Sequence, residues 1–251
     1  VVEEISLSIY VNGYEFASMM SSPRNQEALG LGFLKNEGFI ESMDEVEVLT
    51  TSRNGCCVDI WLDRPLARPE HFTITTGCGG GLTFEEAAGG IEPLKDDLRL
   101  DPRKLFDLQR ELYAPDSLHA QAGGIHTGGL ADGRRVFLKA EDIGRHNTID
   151  RLAGACLLRG ISSQGCILLS TGRISSEMLR KGARMGCPII CSRTSPTSLS
   201  VGMAEVLGIT LVGYARGNRM RVYTHPERLG LEAGTTLPAG VELASTRGSN
   251  P

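Results

Sequence analysis

The chain has 251 residues, 41% of them hydrophobic and 22% charged, with a formal net charge of −4; this fits a soluble globular protein of one large or two small domains and excludes disordered and fibrous classes. The net charge conceals a polarised molecule: residues 1–100 carry 7 Lys and Arg against 17 Asp and Glu, a net of −10, whereas residues 101–251 carry 19 against 13, a net of +6. Apolar runs are far shorter than a membrane span, and Val1-Val2-Glu3-Glu4 lacks the basic and apolar stretches of a signal peptide, so a cytoplasmic protein with no membrane contact is expected.

The alternation Ile5, Leu7, Ile9, Val11 and the turn dipeptide Asn12-Gly13 predict an opening β-hairpin continuing through Tyr14–Ala17. Asn25 is expected to cap a helix running to Glu37, with Ala28, Leu29, Leu31, Phe33 and Leu34 as its apolar face and Gly38 as its stop. Strands about Val46–Thr51 and Cys56–Leu62, joined at Arg53-Asn54-Gly55, complete a small α+β unit. Glycine-rich residues 76–99 then lead to a boundary, and Asp101-Pro102 starts a helix continuing over Lys104–Tyr113.

Beyond it, strands at Gly124–Leu130 and Val136–Glu141 precede a helix His146–Arg159. An alternation of strands (Cys166–Ser170, Pro188–Cys191, Ile209–Tyr214) with helices (Ser175–Met185, Thr197–Leu207) follows, then a strand Met220–Thr224. This order predicts a largely parallel sheet with helices on both faces. The expected division is an α+β domain over 1–99, an α/β domain over 100–229 and a loosely ordered tail over 230–251.

Cys78 is the first candidate for chemistry, because Thr76-Gly77-Cys78-Gly79-Gly80-Gly81 places a thiol on a bendable loop. The other six of the seven cysteines lack a disulfide framework. Cys187 and Cys191 are spaced one residue too far apart for the Pro-Cys-x-x-Cys zinc site of nucleobase deaminases, and no His-x-Glu accompanies them, so they read as buried strand thiols with no metal.

Three loops enter helices from strands: Glu141–Asn147 with Arg145 and His146, Ser170–Ser176 with Thr171, Gly172 and Arg173, and Ser192–Thr197 with Arg193. Free backbone N–H groups and an arginine at such a place favour an anion, although Ser and Thr there also serve as ordinary caps. A fourth basic cluster, Tyr214-Ala215-Arg216-Gly217-Asn218-Arg219, adds guanidinium groups beside a ring, suited to phosphates and a base. No Walker lysine loop, Rossmann fingerprint or nucleic-acid-binding motif is present, so small-nucleotide binding ranks above nucleic-acid binding.

Taken in order, Val2-Glu3-Glu4, Leu29–Gly38, Thr76-Gly77-Cys78-Gly79, Gly123-Gly124-Ile125-His126, Glu141-Asp142-Ile143-Gly144-Arg145-His146-Asn147, Ser170-Thr171-Gly172-Arg173 and Tyr223-Thr224-His225-Pro226 resemble the formate dehydrogenase accessory sulfurtransferase family, FdhD. The resemblance implies a second domain of three α/β/α layers, similar to the cytidine deaminase fold without its zinc, and a homodimer. It also implies that Cys78 accepts sulfur from a cysteine desulfurase as a persulfide. The sulfur then passes to the molybdenum cofactor, a bis(molybdopterin guanine dinucleotide), before insertion into formate dehydrogenase. The cofactor-contacting stretch aligns onto Tyr214, Ala215, Arg216, Gly217, Asn218 and Arg219. Better-known members carry Cys-x-x-Cys in the thiol loop, whereas Gly81 stands at the second position here. The alternative is a non-catalytic chaperone that holds the cofactor, or a guanine nucleotide, and delivers it to an oxidoreductase.

Overall fold

The computed structural model describes residues 1–66, 90–113, 123–231 and 236–244, and the backbone of two short strands at 73–74 and 82–83. Strands β1 (Ile5–Val11) and β2 (Tyr14–Ser21) form the expected hairpin, with positive φ at both Asn12 (51°) and Gly13 (83°), the backbone that matches the strands' twist. Helix α1 (Gln26–Asn36) and strands β3 (Val46–Thr51) and β4 (Cys57–Leu62) follow, and β1 inserts beside β4 to give a four-stranded sheet ordered β2-β1-β4-β3. Strands β5 (Thr73–Ile74) and β6 (Leu82–Thr83) pair antiparallel. Cys78 falls between them in sequence and lies outside the described residues.

Helix α2 (Pro102–Leu112) starts at Asp101, whose carboxylate accepts from Arg103 N, with Pro102 in the first turn where its missing N–H costs nothing. Then come β7 (His126–Ala131), β8 (Val136–Asp142), α3 (Arg145–Arg159), β9 (Ile167–Ser170), α4 (Ser176–Arg184), β10 (Ile189–Ser192), α5 (Ser198–Val206), β11 (Thr210–Arg216), β12 (Arg219–Val222) and β13 (Val241–Leu243). The seven strands order β13-β12-β11-β10-β9-β7-β8. Every residue of β9 and β10 is buried, as the two-sided cover of a central parallel strand requires.

Two expectations need correction. The sheet is mixed rather than largely parallel: β7 runs antiparallel to both β8 and β9, because a tight hairpin joins it to β8 and parallel pairing needs a long crossover connection. The tail expected to be loose contributes β13, which pairs with β12 in parallel and donates Ala244 N to Val222 O at 2.8 Å. Helices do cover both faces. The α3, α4 and α5 side packs Ile149, Leu152, Met178, Leu179 and Ala204 on the sheet; the other side packs Leu105, Phe106, Leu108 and Leu112 of α2 with Leu229 and Leu231.

The two sheets meet through α1 and α3. Leu29, Leu31, Phe33 and Leu34 are all buried, so α1 is covered on every side, by its own sheet and by α3. Glycines make this possible. A Cβ on Gly32 would lie 1.7 Å from the Asp150 carbonyl oxygen, and one on Gly154 would lie 1.8 Å from that of Ala28. Gly30, on the opposite side, rests on Val58 and Ile60 of β4. Among the described residues no helix is long and apolar enough to cross a membrane.

Candidate functional site

Strands β8, β9, β10 and β11 run in one direction, so their carboxyl ends share one edge with the start of β7 and of β12. Ligands of open α/β sheets bind beyond such ends. The loops there are knitted by main-chain bonds: Thr171 N to Thr127 O (3.0 Å), Arg193 N to Ser170 O (3.2 Å), Ile174 N to Ser195 O (3.2 Å) and Tyr214 N to Thr194 O (3.0 Å). From β9 to β11 the edge covers two strand spacings, roughly 10 Å.

At its β7–β9 end, Arg145, His146, Thr171 and Gly172 come together. Thr171 Oγ1 accepts from Thr127 N at 3.0 Å and lies 3.5 Å from His126 Nδ1, while a Cβ on Gly172 would meet Arg145 Cβ at 2.8 Å. Arg173 is exposed. His146, in the first turn of α3, sets Nε2 3.3 Å from Ser175 Oγ and 3.3 Å from Glu177 Oε2, both at the start of α4. Burial, with Lys181, Arg145, His126 and Arg173 adding repulsion, lowers its pKa to about 2, so the ring is neutral. Burial raises that of Glu177, with Glu37 and Asp150 adding to it against the opposing charge of Lys181. With the imidazole neutral, the contact with Glu177 is not an ion pair.

Behind the edge stands a layer of buried charge. Lys181 Nζ donates to Asp150 at 2.7 and 2.9 Å, lies 3.3 Å from Glu37 and sits 5.6 Å from the Phe33 ring centroid, joining α4, α3 and α1. Burial alone would depress its pKa, but Asp150, Glu37 and Glu177 together raise it. Asp142 accepts from Arg151 Nε (2.9 Å) and Nη2 (2.7 Å), from Asn147 Nδ2 (2.8 Å), and from Gly144 N (2.8 Å) and Ser22 N (3.2 Å). Asp142 and Asn147 thus lock the β8–α3 loop to the end of β2. Asn25 stands at the N-cap of α1, but with φ 45° and no side-chain capping bond, which corrects the expected side-chain cap; its carbonyl accepts from Leu29 N at 3.1 Å and from Arg151 Nη1 at 3.0 Å.

The two hydroxyl-bearing loops of the three spend hydroxyls locally. Ser175 caps α4 by accepting from Met178 N, Thr197 caps α5 by accepting from Ser200 N, and Ser192 Oγ donates to Gly172 O at 2.6 Å. What these loops leave outward is arginine.

At the β10–β12 end a cleft of about 370 Å³ opens between α2 and the β11–β12 hairpin. Gly217 (φ 57°) and Asn218 (φ 56°) form its tight turn. Ala215, Arg216, Gly217 and Asn218 make one wall; Phe106, Gln109, Arg110 and Tyr113 make the other, with Arg193 between them. Arg193 sits over the Tyr113 ring, its guanidinium carbon 4.7 Å from the centroid, and Arg110 donates to Asn218 Oδ1 at 3.2 Å. Arg216 and Arg219 are exposed and make no ion pair among the described residues. Tyr214 turns away from the cleft: a bulge gives it φ 53°, and its ring lies beside Arg221, 5.9 Å from centroid to guanidinium carbon.

The α2 wall was not marked in the sequence, and neither were Glu177, Lys181 and Arg151. Nothing in the sequence sets Gln109 and Arg110 apart from the polar side of an amphipathic helix, or Glu177 and Lys181 from a surface pair one turn apart. Of the described thiols, burial pushes Cys156 up to about 11 and Cys191 to about 12, and raises Cys166 and Cys187. Cys56 and Cys57 are half-buried at the start of β4. Among the described residues no group of three or more His, Cys, Asp and Glu is placed to hold a metal.

Residues 2–230 match the FdhD/NarQ family. The chain is 36% identical over 234 residues to the Sulfur carrier protein FdhD of Staphylococcus aureus strain MRSA252, covering 91% of this chain and 88% of that protein. It is 35% identical to the same protein of strain Newman, with the same coverage. The crystal structure of a formate dehydrogenase accessory protein from Desulfotalea psychrophila superposes with a TM-score of 0.74 at 30% identity, covering 91% of this chain and 90% of that one. With the family matched over nearly its whole length, and this fold shared with a solved relative, the chain belongs to the FdhD/NarQ family.

Proposed function

We propose that this protein is a sulfurtransferase of formate dehydrogenase maturation. Cys78 takes sulfur from a cysteine desulfurase and passes it to a molybdenum bis(molybdopterin guanine dinucleotide) held as substrate. The observation that carries the reading is the arginine-lined cleft: Arg110, Arg193 and Arg216 converge beside aromatic rings at the carboxyl ends of the strands. Guanidinium groups bind phosphate oxygens in a bidentate fork, so a pyrophosphate-bearing cargo fits there. The names of the relatives, sulfur carriers and an accessory protein of formate dehydrogenase, support the reading.

In the loading step the Cys78 thiolate attacks the outer sulfur of the donor's persulfide. The donor's S–S bond breaks, its cysteine leaves as a thiolate, and Cys78 retains the transferred atom as a persulfide. One thiol suffices, so Gly81 in place of a second cysteine is compatible with the step. The strongly raised pKa values of the buried thiols leave them poor nucleophiles, which favours Cys78. The working form in this reading is a cytoplasmic homodimer.

The reading is tested by Cys78→Ala. Formate dehydrogenase produced with this variant should be inactive, while guanine nucleotide affinity stays near that of the parent. Full maturation with Cys78→Ala would favour a chaperone that only holds and delivers the cofactor.

A further inference from the structure

The cleft holds a group that phosphate binding leaves unused. Gln109, on α2, is 4% exposed, and its Nε2 donates to the Cys191 carbonyl at 3.0 Å. That bond fixes the amide, since the opposite orientation would set two carbonyl oxygens against each other. Its Oε1 is thereby left buried in the cleft wall with no donor among the described residues. A buried acceptor without a donor is uncommon in a folded protein and calls for a partner.

The surroundings indicate what that partner is. Gln109 and Tyr113 are one turn apart on the same face of α2, and Cys191 and Arg193 are two residues apart, so Gln109 lies against Cys191 as Tyr113 lies against Arg193. A planar base in the place of Arg193 over Tyr113 would bring its edge, about 5 Å away along the helix, to Gln109 Oε1. Arg193, displaced, would turn to the phosphates with Arg110 and Arg216. The ligand must then combine phosphate, a flat ring and N–H donors on the ring edge. Guanine offers two adjacent donors, N1–H and N2–H, whereas adenine offers only its N6–H group, beside an N1 lone pair that opposes an acceptor.

We propose that Gln109 and Tyr113 form the base-reading wall of the cleft: guanine stacks on Tyr113 where Arg193 now sits and donates from its N–H edge to Gln109 Oε1. This rests on the nucleotide-binding reading above and adds to it the selection of the base. A site built to pair with a donor rejects an analogue lacking it far more strongly than it rejects a change of size.

The test is calorimetric titration of the full chain with GDP, ADP and inorganic pyrophosphate, repeated on Gln109→Met. The parent should bind GDP at least tenfold more tightly than ADP, and Gln109→Met should bring GDP down to the ADP level with pyrophosphate affinity unchanged. Unchanged pyrophosphate binding also shows that the variant's cleft is intact. Equal affinities for GDP and ADP in the parent, which needs no variant, would overturn base selection while leaving the phosphate site standing. A GDP preference that survives in Gln109→Met would overturn the role of Gln109. Failure of both GDP and pyrophosphate to bind the parent would overturn this inference together with the cleft's part in the proposed function.

Discussion

The layer between the sheets and the cleft beneath α2 use cations in opposite ways. Between the sheets, Arg151 and Lys181 are buried and held by Asp142, Asp150 and main-chain carbonyls, so each charge is matched inside the protein. At the cleft, Arg193 and Arg216 are exposed, as is Arg219 just beyond its lining, and Arg193 has an aromatic ring for a neighbour. A buried cation that found no partner would be prohibitively costly, so the inner set must be complete within the chain. An exposed cation bears no such cost and remains available to a ligand. The difference separates the arginines that build the fold from those that serve the site, which residue type alone cannot do.

Breaking the inner set should have the largest effect. Asp142→Ala strands the Arg151 charge and releases the loop at Ser22, and is expected to cost about 3–5 kcal/mol in denaturant unfolding. Loss below about 1 kcal/mol would mean that water reaches and solvates Arg151. Steric contact should come next. Gly32→Ala drives a methyl into the Asp150 carbonyl and should cost about 3 kcal/mol by forcing α1 off α3. Gly202→Ala, on α5 with nothing within 4 Å of the added carbon, should stabilise by roughly 0.5–1 kcal/mol.

The outer set should leave stability alone and change binding. Arg216→Ala with Arg219→Ala should weaken GDP binding by about tenfold or more at low salt, and the gap should narrow as salt rises. An unaltered affinity would place the phosphates elsewhere on the edge.

The pH effect of His146 is absent at neutral pH and emerges only on acidification. Its folded pKa, about 2, lies far below the usual 6.5, so the unfolded chain takes up the proton first. Its contribution is therefore complete above pH 6.5 and is lost as the pH falls toward 2, at up to ~1.4 kcal/mol per pH unit. Glu177, with a raised pKa, acts oppositely at lower pH, where its proton is bound more tightly in the folded state. Between pH 6.5 and 5, His146→Gln should remove the acid slope, and ring nitrogen shifts in NMR should show His146 neutral throughout. A His146 ring that titrates near 6.5 would contradict its burial against Glu177.

The sequence was legible wherever a local rule sufficed. Asn12-Gly13 set the first hairpin, and the apolar runs Ile167–Leu169 and Ile189–Cys191 marked the central strands. The same loops proved to share one edge because strand direction places them there. What stayed hidden depends on residues far apart in sequence. Gly32 and Gly154 look like weak points of helices until the two backbones are seen to meet. Asn25 looked like a side-chain cap, yet it answers to Arg151, 126 residues away. Asp142 and Asn147, within the segment read as an anion loop, carry structural bonds, while Arg145 and His146 beside them reach the edge. No periodicity announced that Gln109 would meet Cys191, since their contact spans 82 residues.

The most direct test of the account is intact-protein mass spectrometry with peptide mapping after incubation with an active cysteine desulfurase and cysteine. We expect one added sulfur atom, removable by reductant and confined to Cys78. Sulfur on other cysteines, or none on Cys78 while the same donor loads a known acceptor, would contradict a sulfur carrier built around that residue.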